Sequence, residues 1–536
     1  MNLKWENKKS CYEARLSLDF LPPDSSFVYR SSNNMAALDP MPPALPVSPW
    51  HAEVHSQDVI VAGNDRTGEY VLAGAVTAYR SLSFFTLVKD VRFTELVVRQ
   101  PYIKPEETPE KIIILKGNDW RKLLLEYAET AAKEMGVKLN SREKNLTGYC
   151  TWYYYYADVS EANFLENLAV LKQKVGSDYS PEVVQIDDGY QTFQGDWMDQ
   201  DPSWPTPLQE IASGINRANI RPGIWLMPFV ASTASRTFRE HPEWFVKNQA
   251  GEPLVFAGWS QPPDDLWACL DATLPAAQEH IRNFMTHFHK MGFRYFKLDG
   301  LSFGLPDGVY SDPDATPVSA FRTAMKIIRE SVPDSILLGC CPPFMACLGF
   351  TDMCRVSCDT APLYAGEDPV YPANSSEFTN GIKCALQGTI SNWWKNDIWF
   401  KCDPDVIMAR EDNANYTIGE ARLSAAMGIL TGIALTSDHL GKITPERMKI
   451  LERAAKYRLK NAYPADEAVN RWPYTFTGTV DGKPAALLLN LGRKEKTWTF
   501  ADLHLSETCS EYLIGTGIVK HSLTLPPHDA ALIIAE

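Results

Sequence analysis

The central part of the chain repeats one pattern of apolar and polar positions eight times. A short apolar run is followed by a polar loop and then by a segment with the spacing of an amphipathic helix, for instance at 162–175, 276–291 and 318–331. Strands that alternate with helices favour a parallel sheet, and eight such units predict a (β/α)8 TIM barrel. The predicted strands are 148–154, 183–186, 222–227, 294–298, 336–340, 354–358, 397–401 and 432–435.

Both ends of the chain lack this rhythm. The first part shows short alternating strands, such as 59–62 and 84–88, and ends in an amphipathic helix at 119–133. After about residue 463 short strands return, which the sequence places at 485–490, 511–514 and 530–534. We therefore predict three domains: an N-terminal β-sandwich at 1–142, the barrel at 143–460 and a small C-terminal β-domain at 461–536.

The composition limits the classes of binding partner that the protein can have. The net charge of −14 argues against nucleic acid or an anionic membrane surface, although it says little about a neutral ligand. No apolar window reaches transmembrane length, and no apolar segment of a secretory signal follows the lysines of residues 1–10. We expect a cytoplasmic protein whose 11 cysteines are reduced and mostly buried.

The strand at 293–300 carries two opposite charges to its C-terminal end. Side chains alternate along a strand, so Tyr295, Lys297 and Asp299 share one face. A buried charge is costly unless it is paired, and Lys297 beside Asp299 would keep the carboxylate ionised, as a carboxylate nucleophile requires. A structural ion pair at the end of a strand is the alternative interpretation.

A second stretch at 353–360 repeats the design. Arg355, Ser357 and Asp359 share one face, and Asp359 follows Asp299 by 359 − 299 = 60 residues. This offset accommodates two strand-plus-helix units, so both aspartates would lie at the same end of one barrel. Two carboxylates on one rim are typical of glycoside hydrolysis.

The C-terminal ends of barrel strands carry the active site, so candidate residues can be collected from the predicted strands. They are polar or aromatic, and any one aromatic among them also suits simple packing. The set is Trp152, Tyr153, Asp187, Asp188, Trp225, Lys297, Asp299, Cys340, Arg355, Asp359, Asp403, Asp405 and Asp438.

Several of these strand ends form recognisable motifs, in order along the chain. They are Tyr-Cys-Thr-Trp-Tyr at 149–153, Gln-Ile-Asp-Asp-Gly-Tyr at 185–190, Gly-Asp-Trp at 195–197, Gly-Ile-Trp at 223–225, Tyr-Phe-Lys-Leu-Asp at 295–299 and Arg-Val-Ser-Cys-Asp-Thr-Ala-Pro at 355–362. With these motifs the chain resembles the α-galactosidases (melibiases) of glycoside hydrolase family 36, in clan D, over about residues 149–439. The family also has the three-domain order inferred above.

The resemblance implies roles for individual residues. Asp299 would be the nucleophile and Asp359 the acid/base, with neither metal nor organic cofactor. Asp187 and Asp188 would bind the O4 and O6 hydroxyls of galactose, with Trp152 and Trp225 as apolar walls. The remaining substrate-binding residues would be Tyr153, Lys297, Cys340 and Arg355.

The implied function is that of a retaining, exo-acting α-galactosidase, which takes a small α-galactoside such as melibiose or raffinose and forms a covalent galactosyl-enzyme. Two alternatives keep the same residues: an α-N-acetylgalactosaminidase and a raffinose-synthase-like α-galactosyltransferase. A non-catalytic sugar-binding barrel is a further alternative. The natural aglycone and the oligomeric state stay open, with a homo-oligomer among the options.

Two positions depart from the family pattern. Cys402 stands where relatives carry Asn before Asp-Pro-Asp, and His439 replaces the second Asp of Ser-Asp-Asp-Leu. Both bear on the shape of the pocket rather than on the two catalytic positions. Gly300 is small enough to widen the pocket, which leaves open whether a 2-acetamido group is accepted.

Three rival motifs are disfavoured by their context. Residues 300–304 match the serine-hydrolase elbow around Ser302, but a loop rather than a helix follows. His287 and His289 resemble a metal pair but fall within a predicted helix and have no obvious third ligand. The pair Asp403 and Asp405 could be interpreted as a cation site. The proline between them suits a turn at the rim instead, and no EF-hand ligand series follows.

Overall fold

The protein is described here by a computed structural model. It describes residues 4–7, 11–18, 27–30, 44–46, 51–64, 67–90, 94–139, 145–258, 266–365, 380–466 and 472–536.

The N-terminal part forms two antiparallel five-stranded sheets, with strand orders β1-β2-β9-β8-β5 and β10-β7-β6-β3-β4. Alternate residues of both sheets meet in one apolar core, where Ile60 and Val71 of one sheet pack with Phe85 and Val98 of the other. This is a β-sandwich. Its strands are β1 (Lys4–Asn7), β2 (Cys11–Ser17), β3 (Phe27–Arg30), β4 (Ala44–Pro46), β5 (His51–Gln57), β6 (Val59–Asn64), β7 (Glu69–Ala75), β8 (Phe84–Asp90), β9 (Thr94–Pro101) and β10 (Ile112–Gly117).

Helix α1 (Trp120–Glu134) leads from the sandwich to the barrel, as the periodicity of 119–133 predicts. Asp119 begins the helix, because its carboxylate accepts a hydrogen bond from the Arg121 amide. The apolar face of α1 buries Leu124 and Tyr127, and Trp399 of the barrel donates a hydrogen bond to the Ala128 carbonyl. The helix is therefore a packed joint between the two parts.

Eight parallel strands form the barrel, in the order β20-β19-β18-β17-β13-β12-β11-β21. The two outermost strands of this order, β20 and β21, are joined through Ile407, which bridges to Thr436 and donates its amide to the Leu435 carbonyl at 2.8 Å. The barrel is thus nearly closed. Its strands are β11 (Leu146–Cys150), β12 (Val183–Ile186), β13 (Arg221–Leu226), β17 (Tyr295–Leu298), β18 (Ile336–Gly339), β19 (Met353–Arg355), β20 (Lys401–Asp403) and β21 (Ile433–Thr436).

The helices that connect these strands largely follow the predicted periodicity, with starts one residue earlier than predicted for α3, α6 and α7. Helix α6 ends at Gly292, whose φ of 103° is a left-handed conformation that other residues adopt at a cost. The bounds are α2 (Trp152–Tyr155), α3 (Glu161–Lys174), α4 (Leu208–Asn216), α5 (Arg236–Glu240), α6 (Pro275–Met291), α7 (Pro317–Ser331), α8 (Phe344–Cys347), α9 (Ile382–Ser391), α10 (Ile418–Thr431) and α11 (Pro445–Lys456).

Two predicted barrel strands need correction. The first ends at Cys150, so Trp152 and Tyr153 lie on the short helix α2 instead of on the strand. The seventh strand lies at Lys401–Asp403, because Asp397 has a φ of 62° and its amide donates to the Phe400 carbonyl in a turn. Trp399 and Phe400 are buried in that turn, and Ile398 is half-buried.

Two smaller β-structures complete the architecture. A three-stranded antiparallel sheet of order β14-β16-β15 extends from the loop after β13, with β14 (Val230–Ser232), β15 (Val255–Ala257) and β16 (Leu266–Cys269). The C-terminal part forms a six-stranded sheet, of order β22-β23-β24-β29-β26-β27, and a two-stranded sheet, β25-β28. Its strands are β22 (Lys460–Pro464), β23 (Thr475–Val480), β24 (Lys483–Asn490), β25 (Lys496–Thr499), β26 (Thr508–Glu511), β27 (Gly517–Lys520), β28 (Ser522–Leu525) and β29 (Asp529–Ala535).

The predicted fold class is confirmed: a (β/α)8 barrel carries an N-terminal β-sandwich and a small C-terminal β-domain. The first predicted domain boundary, at 142/143, lies outside the described residues, and the second, at 460/461, falls at the start of β22. Within the described part of the chain, the helices include none with the length and apolar character to cross a bilayer.

One ion pair joins the barrel to the C-terminal sheet. Arg422 of α10 donates from two nitrogens to the two carboxylate oxygens of Asp529 in β29, both at 2.7 Å. The carboxylate side chain is only 3% exposed, so the guanidinium replaces most of its lost hydration. Removal of one partner of a buried pair leaves an uncompensated charge.

We therefore expect Arg422→Met to lower the free energy of unfolding by about 3 kcal/mol, because Asp529 would stay buried without its counter-ion. Urea unfolding followed by tryptophan fluorescence measures this loss. The matched control is Arg282→Met, which removes an exposed pair with Glu279 at 3.3 Å and should cost less than about 0.5 kcal/mol. Equal losses for the two variants would contradict the role of the Arg422 pair.

Candidate active site

The predicted site residues gather at one end of the barrel, where the parallel strands deliver them. Trp225 and Lys297 are paired in register on β13 and β17, and Arg355 is paired with Asp403 on β19 and β20. Asp187 and Asp299 come directly after β12 and β17. Register and chain direction therefore place these polar side chains on the C-terminal rim, as the fold requires of an active site.

Asp299 is held by donors on both of its oxygens. The Trp225 indole nitrogen donates to Oδ2 at 3.0 Å, and the Gly300 amide donates to Oδ1 at 2.7 Å. Burial raises the pKa of Asp299, but the positive charges of Lys297 and Arg355 outweigh it, so the pKa is lowered from its usual value. The result is an oriented, ionised carboxylate.

The ion-pair partner of Lys297 differs from the prediction. Its ammonium lies 2.8 Å from Oδ2 of Asp187, two strands away across β13, instead of forming a salt bridge with Asp299. Burial alone lowers the pKa of Lys297, yet the Asp187 carboxylate raises it well above its usual value. Lys297 therefore stays charged and acts on Asp299 through its field.

Asp187 is heavily engaged. In addition to Lys297, its Oδ2 accepts hydrogen bonds from Gln185 at 2.5 Å and from the Cys150 thiol at 3.3 Å. Its Oδ1 accepts the amide of Asp188 at 3.0 Å. These four donors fix the Asp187 carboxylate in position.

Asp188 faces the same space with fewer partners. Gln191 donates to its Oδ1 at 2.5 Å. Burial raises the pKa of Asp188, and the nearby charges of Asp187 and Asp299 raise it further. A donor hydroxyl of a bound ligand would compensate part of this cost.

Arg355 connects the two predicted catalytic aspartates. Its Nη2 lies 2.7 Å from Oδ1 of Asp359 and 4.0 Å from the sulfur of Cys341, and that sulfur lies 3.8 Å from Oδ1 of Asp299. Arg355 also lies 4.0 Å from Asp405. The side chain of Asp359 is 41% exposed, so it remains open to a ligand from the rim.

The thiol beside Asp299 belongs to Cys341, which the sequence analysis did not select. Cys340 is fully buried, and burial raises its pKa well above the usual value. Cys341 is half-buried and has a φ of 48°, an unusual conformation for a residue other than glycine. Its place directly after the strand was the only sign in the sequence that Cys341 lies at the site. The alternation of side chains along a strand does not predict which way a residue in the following turn points.

The aromatic residues of α2 lie at the rim. Tyr153 is buried and donates its hydroxyl to Asp405, which also accepts the Thr360 amide at 2.9 Å. Trp152 is half-buried and packs edge-on against Tyr156, with the ring centroids 5.5 Å apart. Trp225 is buried and contacts Trp197 in the same manner. The structure thus brings the predicted wall residues to the rim, and Tyr153 adds a contact to the acidic group Asp405.

Gly300 does not widen the pocket. A Cβ at this position would lie 2.4 Å from the Met227 methyl carbon and 2.9 Å from the Phe303 ring, and the residue has a φ of 58°. The glycine is needed for the turn after β17 and for close packing behind it.

The residues around the departures Cys402 and His439 are buried at the last two strands. The Cys402 sulfur lies 3.7 Å from the Asn392 carbonyl, and His439 pairs with Glu166 at 3.1 Å. Asp438 is fully buried and accepts the backbone amides of Ala409 and Arg410. Asp438 therefore holds a loop, which differs from the open position expected of a substrate ligand.

The rival motifs find structural roles. Ser302 lies in a 3₁₀-helix, Leu301–Gly304, which differs from the strand-to-helix turn of a nucleophile elbow. His289 of α6 pairs with Asp334 at 2.5 Å. Within the described ranges, no group of three or more His, Cys, Asp or Glu side chains is placed to hold a metal ion.

Comparisons with known proteins agree with this geometry. Residues 149–301 match the family model described as Melibiase. A curated relative, the α-galactosidase AgaA of Geobacillus stearothermophilus, is 27% identical over 146 residues, which are 26% of this chain and 19% of that protein. The chain therefore matches about a fifth of the length of this relative.

Over residues 149–301 the barrel is similar to the melibiase family. The resemblance predicted from the sequence is confirmed. The fold matches a solved α-galactosidase of Thermus thermophilus, in complex with p-nitrophenyl α-D-galactopyranoside, at a TM-score of 0.69 and 22% identity, covering 90% of this chain and 95% of that chain. It also matches the family 36 α-galactosidase AgaA of Geobacillus stearothermophilus at a TM-score of 0.60 and 12% identity, covering 100% and 81% of the two chains.

The C-terminal rim of the barrel buries carboxyl groups whose charge the nearby cations do not fully compensate. Burial raises the pKa of Asp403 to about 7 and that of Asp405 to about 6, and each carboxyl group is at most 5% exposed. Such a group keeps its proton in the folded state at a pH where the unfolded chain has already lost it. The folded protein therefore loses stability as pH rises from about 4 to about 7.

We expect Asp403→Asn to remove this loss, because the amide has the same shape and no charge to bury. The thermal midpoint of the wild type should fall relative to that of the variant between about pH 4 and about pH 7, and the difference should be smallest at or below about pH 4. The control Asp481→Asn, in the exposed turn after β23, relieves no buried charge. A pH-independent difference for Asp403→Asn would contradict this interpretation.

Proposed function

We propose that the protein is a retaining, exo-acting α-galactosidase that releases terminal α-linked galactose from oligosaccharides such as melibiose or raffinose. The proposal is supported by the match to the melibiase family model and by relatives whose names describe them as α-galactosidases. The observation that carries it is the environment of Asp299, which two donors orient and two cations keep ionised.

The first step is a displacement at the anomeric carbon. Asp299 attacks from the face opposite the aglycone while Asp359, as a general acid, protonates the departing glycosidic oxygen. In the resting site Arg355 donates to Asp359, so substrate entry must bring the glycosidic oxygen to a carboxyl group that is 41% exposed. A covalent galactosyl-enzyme results.

The second step reverses the geometry. Asp359, now ionised, takes a proton from water, which attacks the face that the aglycone has left and releases α-galactose. Arg355, whose Nη2 lies 2.7 Å from Oδ1 of Asp359, holds the carboxyl group in position for this proton transfer. Two inversions give net retention.

Recognition of galactose is assigned to the carboxylates after β12. Asp187 and Asp188 would accept hydrogen bonds from the O4 and O6 hydroxyls, and Gln191 keeps the Asp188 carboxylate directed. Trp152 and Trp225 would form the apolar walls, while Tyr153, Lys297, Cys340 and Arg355 complete the lining. Cys341 joins this set because of its contact with Asp299.

A panel of aryl α-glycosides tests the proposal. Loss of a hydroxyl partner leaves a buried carboxylate unpaired, so we expect the α-glucoside to react at least about 100-fold more slowly than the α-galactoside. NMR of the initial product should show the α-anomer. Equal rates on the two sugars, or β-galactose as the first product, would contradict the assignment.

Asp299→Ala should reduce kcat at least about 10³-fold without loss of folding, because the substitution removes the nucleophile. Azide should restore turnover and give the β-galactosyl azide, since it can enter the vacated space and attack with inversion. The control Asp334→Ala alters an exposed carboxylate and should leave kcat unchanged. An α-azide product would refute the role of Asp299.

Asp359→Ala should separate substrates by leaving group. A dinitrophenol departs unaided, so a dinitrophenyl galactoside should still form the galactosyl-enzyme and let it accumulate, because no base activates water. Melibiose has a poor leaving alcohol, and its rate should fall by up to about 10⁴-fold. Rapid-mixing kinetics and mass spectrometry of the intact protein measure both effects. If both substrates slow equally, with no accumulation, another carboxyl group such as Asp405 supplies the proton.

A further inference from the structure

Two thiols lie close together next to Asp359, one in the same segment of the chain and one on helix α9. Cys358 precedes Asp359 in the chain, and Cys384 lies in the first turn of α9. Their side chains are neighbours, because α9 contacts this segment on either side of Cys384: the Gly381 amide donates to the Asp359 carbonyl at 3.3 Å, and Asn392 donates to the Val356 carbonyl. Both residues are buried but retain some exposure, 5% and 7%. The catalytic scheme uses neither thiol.

Helix α9 is pressed against the backbone of this segment. Cys384, Gly388 and Asn392 follow one another at intervals of four residues. They therefore lie on one side of the helix, with Asn392 at its C-terminal cap. Asn392 donates to the Val356 carbonyl at 3.2 Å. A Cβ at Gly388 would lie 2.9 Å from the Val356 carbonyl oxygen and 3.0 Å from the Ser357 Cα atom. The helix therefore has no room to move closer at Gly388.

The two thiols differ in reactivity. The hydrogen bond from Cys358 lowers the pKa of Cys384, and the charge of Lys383 lowers it further, against the opposing effect of burial. The same contact raises the pKa of Cys358. Cys384 is thus the thiol that more readily becomes the nucleophilic thiolate, with Cys358 positioned as the resolving thiol.

We propose that Cys358 and Cys384 form a peroxide-sensitive thiol pair, whose oxidation to a disulfide displaces Asp359 and slows turnover. The formation of the disulfide follows from the contact of the two thiols alone. Its effect on turnover rests on the proposed function, in which Asp359 is the acid/base.

The oxidation is balanced with hydrogen peroxide as the oxidant. The Cys384 thiolate attacks one peroxide oxygen, the O–O bond breaks, and a sulfenic acid forms with release of hydroxide, which takes up a proton to give water. The Cys358 sulfur then attacks the sulfenic sulfur, its proton leaves with the departing hydroxyl as a second water, and the S–S bond forms. Two thiols and one peroxide give one disulfide and two waters.

The bond changes the local geometry because a disulfide is much shorter than a thiol contact. The sulfur atoms must approach to about 2.05 Å. Gly388 prevents α9 from following as a rigid body, so the chain at Cys358 must shift, and Asp359 shifts with it. A misplacement of about 1 Å at a catalytic group is enough to lower the rate of turnover by up to about 100-fold.

The test treats the full-length enzyme with hydrogen peroxide and then blocks the remaining thiols. Peptide mapping should find a cross-link between the peptides of Cys358 and Cys384, lighter by two hydrogen atoms than the two thiol forms. Hydrolysis of an aryl α-galactoside should fall at least about tenfold and recover with dithiothreitol.

Cys384→Ala should keep the basal activity and lose the reversible response to peroxide. The matched control is Cys347→Ala, which removes another buried thiol, in the neighbourhood of Cys354, and should leave the response intact. Inactivation that persists in Cys384→Ala would assign the effect to another thiol, such as Cys341, and would overturn the proposal.

Three further outcomes are distinct. Absence of the cross-link at full oxidation overturns the thiol pair, whatever the activity. A cross-link with unchanged hydrolysis overturns the effect on Asp359. If the untreated protein hydrolyses no α-galactoside, the proposed function fails, while the mapping experiment still decides on the disulfide.

Discussion

The rim of the barrel depends on the balance between crowded carboxyl groups and two buried cations, Lys297 and Arg355. Each cation has one close partner, Asp187 and Asp359 respectively, and both act together on Asp299. Coulomb interactions inside a protein are screened less than in water, so one cation reaches several acids. Burial raises the pKa of Asp299 as well, but there the two cations outweigh it, whereas at Asp403 and Asp405 burial outweighs the cations and the pKa of each is raised.

Strand register is what delivers this balance. Because Arg355 and Asp403 are neighbours on β19 and β20, the guanidinium is placed among the acids of the last strands. Trp225 and Lys297 are neighbours on β13 and β17, so the indole that donates to Asp299 lies beside the ammonium that binds Asp187. A shift of one residue in either pair would send these side chains to the helix side of the barrel.

The sequence predicted the elements whose signal is local. The helical spacing of 276–291 and the apolar run of 183–186 depend on neighbouring residues alone, and both match α6 and β12. The pairing of Lys297 with Asp187 spans 110 positions, and no local pattern distinguishes it from a pair with Asp299. The sequence did not predict the contact of Cys341 with Asp299. The left-handed φ of Cys341 ends the strand, so the alternation of side chains no longer shows which way the thiol points.

The seventh strand shows a different cause of error. The aromatic residues at 399–400 have strong strand propensity, but they are buried in a turn that α1 and Asp397 stabilise. Tertiary contacts outweigh propensity there. The acids after the strand were still assigned to the rim, because a shift of the predicted strand by a few residues does not change the end at which they lie.

The contact of Gly388 with the backbone of 356–357 has a consequence for attempts to alter the pocket. Gly388 of helix α9 packs against the segment that leads to Asp359 from the helix side of the strand. A mutant library confined to pocket-lining residues would sample the chemistry of the site but leave this outer support untouched. Variation at the helix-facing layer instead changes the angle at which an unchanged carboxyl group meets its substrate, which makes that layer a separate and independent source of altered selectivity.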